Sequence, residues 1–227
     1  LVTMASVSSE LGIMQPIEEI GAILKEYPKC FFHVDMTQNL GKVPISLENI
    51  DLASFSAHKF YGMKGIGGLV KKEGILLEPL IHGGKSTTIW RSGTPALPLI
   101  VSLAKALRLS LTDLLEKQEH ILKLNTYIRK ELEQISGLHI NSSEKAIPHI
   151  LNFSVLGMKP ETLQHALEVH EIYVSTQTAC AKGTNPSTAV MAVTRNKEYA
   201  KSSLRISISH LTTLEEITTF VNVLKEE

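Results

Sequence analysis

Lys59 stands in Ser54-Phe55-Ser56-Ala57-His58-Lys59-Phe60-Tyr61-Gly62-Met63-Lys64-Gly65-Ile66-Gly67-Gly68, beside a histidine and among small residues. A primary amine held at the end of a strand in that setting suits imine chemistry. Asp35 stands 24 residues earlier, in His33-Val34-Asp35-Met36-Thr37-Gln38, at the end of another expected strand. Lysine and aspartate are the two protein groups that a pyridoxal 5'-phosphate (PLP) enzyme needs most. The amine makes the Schiff base, and the acid pairs with the pyridinium nitrogen and keeps the ring an electron sink.

The elements that must hold these groups follow from the hydrophobic pattern. Residues 1–7 form a strand, and Gln15-Pro16-Ile17-Glu18-Glu19 opens a helix with Pro in its first turn and acids near its positive end. Its apolar face is Ile17, Ile20, Ile23 and Leu24. Strands follow at Cys30–Val34 and at 51–56, so short apolar runs alternate with helical patterns. That alternation predicts βα units on a mostly parallel sheet, with ligands outside the strand carboxyl ends. Asp35, Gln38 and Lys59 all fall there. Gly62, Gly65, Gly67 and Gly68 are expected in tight turns and at close backbone approaches. Residues 99 to about 137 are helix-rich, after Pro95 and Pro98. Further strands are expected at Ile150–Val155, Ile172–Ser175 and Leu204–Ile208, and a helix from Pro160 to His170. Thr212-Thr213-Leu214-Glu215 fits a capping box for the last helix. Thr176–Ser187 is the most loop-like stretch and carries Cys180. Cys30, in an apolar strand, is expected to be a small buried hydrophobe.

Four ordered motifs, Ser56-Ala57-His58-Lys59, Arg91-Ser92-Gly93-Thr94, Thr178-Ala179-Cys180 and Ser203-Leu204-Arg205-Ile206-Ser207, span most of the chain. In these the sequence resembles the cysteine desulfurases of the NifS/IscS type, within the class V aminotransferase group of fold-type I PLP enzymes. The resemblance implies an α/β fold: a three-layer, PLP-transferase-like large domain with a mostly parallel sheet, and a smaller α+β C-terminal domain. Residues 1–112 would be the C-terminal part of the large domain, and 113–227 the small domain with the cysteine loop. It implies Lys59 as the Schiff-base lysine and Asp35 on the ring nitrogen. Gln38 would bond the ring's phenolic oxygen, and Ser56 and His58 the cofactor phosphate. Thr94 would reach the phosphate of the other subunit's cofactor in a homodimer; alternatively it caps a helix with Pro95 in the first position. Arg205, costly inside an apolar strand unless paired, would bind the substrate carboxylate; the other reading is a structural salt bridge or an arginine on the exposed face of an edge strand. Ser9 falls at a substrate-binding position. Cys180 would take sulfur from L-cysteine as a persulfide and pass it to an acceptor protein, with alanine released. Lys182 is placed to lower its thiol pKa. The sulfur would serve iron–sulfur cluster assembly, tRNA thiolation or thiamine synthesis.

Composition sets the outer bounds. The 227 residues are 43% hydrophobic and 20% charged, enough for one large domain or two modest ones. With 23 basic and 23 acidic residues, nothing electrostatic favours nucleic acid or an anionic membrane. No apolar run has the length to span a bilayer. The opening Leu-Val-Thr-Met-Ala-Ser-Val lacks the basic flank of a secretory signal. Two distant cysteines point to a reducing cytosol rather than a disulfide framework. The sequence also departs from the family. The front portion, with its phosphate-binding loop and stacking histidine, is expected to be missing, so the chain is expected to be a fragment. Ser8-Ser9 replaces paired asparagines, and Lys85-Ser86-Thr87-Thr88-Ile89-Trp90, Gln177 and Lys182 differ from the usual segments. Two alternatives stay open. One is a selenocysteine lyase or another class V lyase or aminotransferase, and the other a catalytically incomplete fragment acting as a dimerisation or scaffold partner.

Overall fold

The computed structural model describes residues 1–84, 88–176 and 186–227. The chain divides into two units: Leu1–Ser6 with Gln15–Leu114, and Val7–Met14 with Leu115–Glu227.

In the first unit, β1 (Val2–Ala5), α1 (Ile17–Leu24), β2 (Phe32–Asp35), β3 (Leu52–Ser56), β4 (Gly67–Lys71) and α2 (Leu97–Leu111) follow in order. The sheet order is β1-β2-β3-β4, parallel through β3, with β4 antiparallel. Side chains alternate across a strand, so each strand gives one row to each face. One row is Phe32, Val34 and Ala53, buried under Ile17, Ile20 and Leu24 of α1. The other carries Thr3, His33, Asp35 and Ser54, which the register sets side by side. Ile23, expected on the buried face of α1, is instead 59% exposed. The helix turns on Gly21, where an added Cβ would lie 2.5 Å from that of Asn49. That contact fixes which side faces the sheet. Pro16 is the N-cap residue, just outside the helix.

Two further expectations about the first unit need correction. Gly67 and Gly68 are in strand β4, not in turns. A Cβ on Gly67 would meet the Phe55 carbonyl oxygen at 2.4 Å, and one on Gly68 the Phe55 ring at the same distance. The glycines therefore serve close approach, and the low strand propensity of the pair hid the strand. Cys30 lies ahead of β2 and is only partly buried, since pairing starts at Phe32.

The second unit holds α3 (Leu114–Leu132), β5 (Leu138–Ile140), β6 (Ile150–Val155), α4 (Pro160–Val169), α5 (Thr188–Thr194), α6 (Lys197–Lys201), β7 (Ser203–Ser207) and α7 (Leu214–Glu226). The sheet is antiparallel, β5-β6-β7. Ile121, Leu124, Ile128 and Leu132 of α3, at helical spacing, join Ile217, Phe220, Val221 and Leu224 of α7 around Leu151, Phe153 and Leu204. The Ile172–Ser175 strand shrinks to a single bridge, Ser175 with Arg205, and Tyr173 is exposed. The capping box lies one residue later than expected. Thr213 accepts the Glu216 amide at 3.2 Å and Glu216 Oε2 accepts the Thr213 amide at 2.7 Å. Thr212 is engaged elsewhere, accepting from the Ser209 amide at 3.0 Å. No helix among the described residues is long and apolar enough to cross a membrane.

Candidate active site

Lys59 ends a single 3-10 turn, Ala57–Lys59, directly after β3. The turn is fixed from below. Ala57 and Phe60 are 0% and 1% exposed and pack with Ala106 of α2. The Phe60 and Gly62 amides donate to the Ala57 carbonyl at 3.1 and 2.9 Å, and Ser110 Oγ donates to the Phe60 carbonyl at 3.1 Å. The lysine itself is partly exposed and has no ion pair or hydrogen bond among the described residues. A reactive amine on a rigid, buried support is the arrangement that imine chemistry requires.

Asp35 closes β2, one strand over. Its Oδ1 accepts the Thr37 amide at 2.8 Å, and no cation among the described residues offsets its charge. Asp35 pairs in register with Ser54, and the Met36 amide donates to the Ser54 carbonyl at 2.8 Å, so the ends of β2 and β3 are locked together. Gln38 follows, half-buried. Lys42 Nζ donates to its Oε1 at 3.3 Å and to its carbonyl at 3.0 Å. Ser56 precedes the lysine turn and His58 lies within it, partly exposed and exposed respectively. One unit thus holds an acid, an amide, a hydroxyl, an imidazole and an amine at the carboxyl ends of adjacent parallel strands. An uncompensated acid and an uncompensated lysine at the ends of adjacent strands fit PLP, whose ring nitrogen wants an anion and whose aldehyde wants an amine. No three His, Cys, Asp or Glu side chains among the described residues are placed to hold a metal ion.

Thr94 is exposed in the loop ahead of α2. It is not a helix cap: Ala96 holds that position, without a side-chain bond, and Pro98 lies in the first turn. Cys180, Gln177, Lys182 and Lys85 lie outside the described residues.

Arg205 and Ser9 come together in the second unit. Arg205 Nη1 donates to the Ser9 carbonyl at 2.9 Å, and Nη2 to Ser175 Oγ at 3.3 Å. Ser9 therefore acts here through its main chain. Ser8 accepts the Leu11 amide at 3.2 Å and shapes the loop. The loop needs glycine at Gly12, where φ is +70° and a Cβ would sit 3.0 Å from the Ile150 carbonyl oxygen. Burial pushes the Arg205 pKa down, and the nearby Glu10 carboxylate draws it back in part. Among the described residues no direct ion pair holds Arg205, and Glu10 acts on it at longer range.

Three neighbours of these groups were not singled out from sequence for a role. His33 hydrogen-bonds with Thr3 Oγ1 at 2.7 Å and with Ser54 Oγ at 3.0 Å, forming a polar row across three strands on the face of Asp35. Alternation within His33-Val34-Asp35 and Ser54-Phe55-Ser56 was the available signal. Glu10 and Ser175 flank Arg205; only the adjacency of Glu10 to Ser9 hinted at this.

Comparison with known proteins follows the same lines. A family model described as aminotransferase class-V matches residues 1–220. A NifS/IcsS protein homologue from Lactobacillus delbrueckii subsp. bulgaricus is 42% identical over 232 residues, covering 100% of this chain and 60% of the relative. A cysteine desulfurase IscS from Neisseria gonorrhoeae is 39% identical over 233 residues, covering 100% and 57%. Among solved structures, a NifS-like protein superposes with a TM-score of 0.89 at 34% identity, covering 99% of this chain and 60% of that one. A NifS-like protein from Rickettsia africae gives 0.86 at 28%, covering 99% and 60%. The fold is that of these α/β, PLP-transferase-like proteins. The chain spans about 60% of the length of the relatives it matches.

Proposed function

Because the chain belongs to the class V aminotransferase family, we propose that it forms part of a PLP-dependent cysteine desulfurase. The observation that carries this reading is the pair of uncompensated groups, Lys59 and Asp35, on fixed supports at neighbouring strand ends. PLP, when bound, supplies the electron sink that acidifies the substrate's α- and β-positions.

The residues of this chain divide the remaining work. Lys59 would hold the cofactor by its amine and, once displaced by substrate, serve as the base for the α-proton. Asp35 would keep the proton on the ring nitrogen. Gln38 Nε2, without a partner among the described residues, would donate to the ring oxygen. Ser56 and His58 would bind phosphate oxygens, joined in a homodimer by Thr94 from the other subunit. Arg205 would take the carboxylate of L-cysteine. The Cys180 thiolate would attack the substrate sulfur. The carbon–sulfur bond breaks with its electron pair left on carbon, which takes a proton. One thiol and one L-cysteine thus yield one persulfide and one L-alanine. A thiol of an acceptor protein would then draw off the outer sulfur, for iron–sulfur cluster assembly, tRNA thiolation or thiamine synthesis. The nucleophile and the acceptor must both be free thiols, which a reducing compartment maintains, so the cytoplasm is the proposed place.

The test is an absorbance scan of the chain with PLP, before and after borohydride, with peptide mapping of the trapped lysine. Trapping at Lys59, lost in Lys59→Ala, is expected. Cys180→Ser should retain trapping and lose alanine and sulfide production from L-cysteine. An aminotransferase would keep turnover in that variant. Absence of trapping, both alone and with the family's front portion supplied as a second chain, would leave a scaffold role.

A further inference from the structure

The second unit contains two half-buried arginines that are satisfied to different degrees. Arg129 spends every edge on the protein: Nε on Asn125 Oδ1 at 2.9 Å, Nη1 on the Ser142 carbonyl at 3.0 Å and Nη2 on the Ser143 carbonyl at 2.9 Å. Such a guanidinium is part of the scaffold. Arg205 has one good bond, to the Ser9 carbonyl, and one long one, to Ser175 Oγ at 3.3 Å. Its Nε is buried and makes no hydrogen bond.

The residue after Ser9 carries the complementary defect. Glu10 is only 8% exposed, and its Oε1 is buried without a partner. A buried carboxylate oxygen with nothing to accept is costly, and so is a buried guanidinium N–H with nothing to receive it. The Ser9–Arg205 bond brings the loop that carries Glu10 onto the arginine. The loop is itself fastened to this unit, since Ser142 Oγ donates to the Leu11 carbonyl at 2.7 Å and the Ile147 amide to the Gly12 carbonyl at 2.8 Å. Neither Glu10 nor Arg205 can drift from the other without breaking those bonds.

We propose that Glu10 is a positioning residue, the internal counter-ion of Arg205, and that it limits this arginine to ligands with a single carboxylate. The proposal rests on Arg205 being the carboxylate-binding residue. A carboxylate arriving at Arg205 displaces the weak Ser175 hydroxyl and shares the guanidinium with Glu10. A ligand with a second negative charge at that end meets repulsion that a monocarboxylate avoids. The consequence has an unusual sign: removing Glu10's charge should tighten anion binding, whereas a purely structural role would weaken it.

The experiment follows the Arg205 Nε–Hε resonance of the 227-residue chain by 15N NMR, identified by its loss in Arg205→Lys. In the ligand-free protein, Glu10→Gln should shift this resonance; an unchanged position overturns the counter-ion assignment. On titration with acetate, Glu10→Gln should bind about three- to tenfold more tightly than wild type, with a larger gain for malonate. Equal or weaker acetate binding by a folded Glu10→Gln overturns the proposal. Should that variant not fold, wild type alone decides: malonate must bind more weakly than acetate, and equal or tighter binding overturns the selectivity. If Glu10→Gln shifts the resonance but no carboxylate perturbs it in either protein, the carboxylate-binding reading of Arg205 fails while the internal pairing stands.

Discussion

The two sheets of this chain use the same backbone geometry for opposite purposes. In the second unit, β6 is buried on both faces but for its last residue, and its polar side chains are tied inward. Asn141 Nδ2 donates to Asn152 Oδ1 and to Ser154 Oγ, both at 2.7 Å. In the first unit, α1 covers one face of the sheet. The other face presents Thr3, His33, Asp35 and Ser54 in hydrogen-bonded or in-register rows, with Asp35 exposed. A central strand buried on both faces contributes to stability, and an exposed row of polar side chains is available to a ligand.

The strongest way to break this contrast is in the closed sheet. Phe153 is 0% exposed and meets Phe220 edge-on, centroids 6.5 Å apart. Phe153→Ala should cost about 3–5 kcal/mol in urea denaturation followed by circular dichroism. A cost near that of a surface change would show that this core is not the stabilising one. Next in size is Gly67→Ala on β4 of the open sheet, where the new methyl must displace the Phe55 carbonyl. About 1–3 kcal/mol is expected, together with weaker PLP trapping, because β3 leads directly into the Lys59 turn. Unchanged stability would mean that β3 and β4 separate freely.

Much of this was legible in the sequence where pattern and element agree. Ile150–Val155 is a continuous apolar-to-polar run between breakers and forms the strand it suggests. Asp35 and Lys59 fall at strand ends because the apolar runs before them stop there. Other features depend on tertiary contacts that no local signal carries. The glycines of β4 resemble a turn until Phe55 is set against them. The capping box shifted by one because two threonines compete and Ser209 engages the first. The helices α5 and α6 are too short to show a helical period, and are fixed by their caps, Ser187 Oγ on the Val190 amide at 3.0 Å and Asn196 Oδ1 on the Glu198 amide at 2.9 Å. The Arg205 environment was partly visible. Its place within an apolar strand marked it as a group needing partners, while Glu10 and Ser175 came to it from 195 and 30 residues away in the chain.

A smaller effect, with a pH signature, is expected at Asp51, which ties the opposite ends of the open sheet's strands. Its Oδ2 accepts the Phe32 amide and its Oδ1 the Lys72 ammonium, each at 2.9 Å. Burial raises its pKa, but these bonds outweigh burial and leave it below the ordinary carboxylate value. A carboxyl whose folded pKa is depressed stabilises fully above its unfolded value, about 4, and loses that contribution as pH falls through the folded value. Asp51→Asn should therefore cost about 1 kcal/mol near neutral pH, given a partly exposed ion pair. The gap from wild type should close below about pH 4. A gap that persists in acid would show that the hydrogen bond to Phe32, not the charge, does the holding.

The smallest expected effect on folding is at Asp35, and it isolates the purpose of the open face. Its one side-chain hydrogen bond among the described residues, from the Thr37 amide at 2.8 Å, can be accepted equally by an asparagine oxygen, and the side chain is exposed. Asp35→Asn should leave stability within about 0.5 kcal/mol of wild type. The same change removes the only anion proposed for the cofactor's ring nitrogen, so PLP affinity should fall about ten- to a hundredfold, the worth of a charged hydrogen bond. Denaturation and PLP titration on one preparation measure both. If stability and affinity fall together, Asp35 is holding the strand ends rather than a ligand, and the division of labour between the two sheets fails at its most exposed residue.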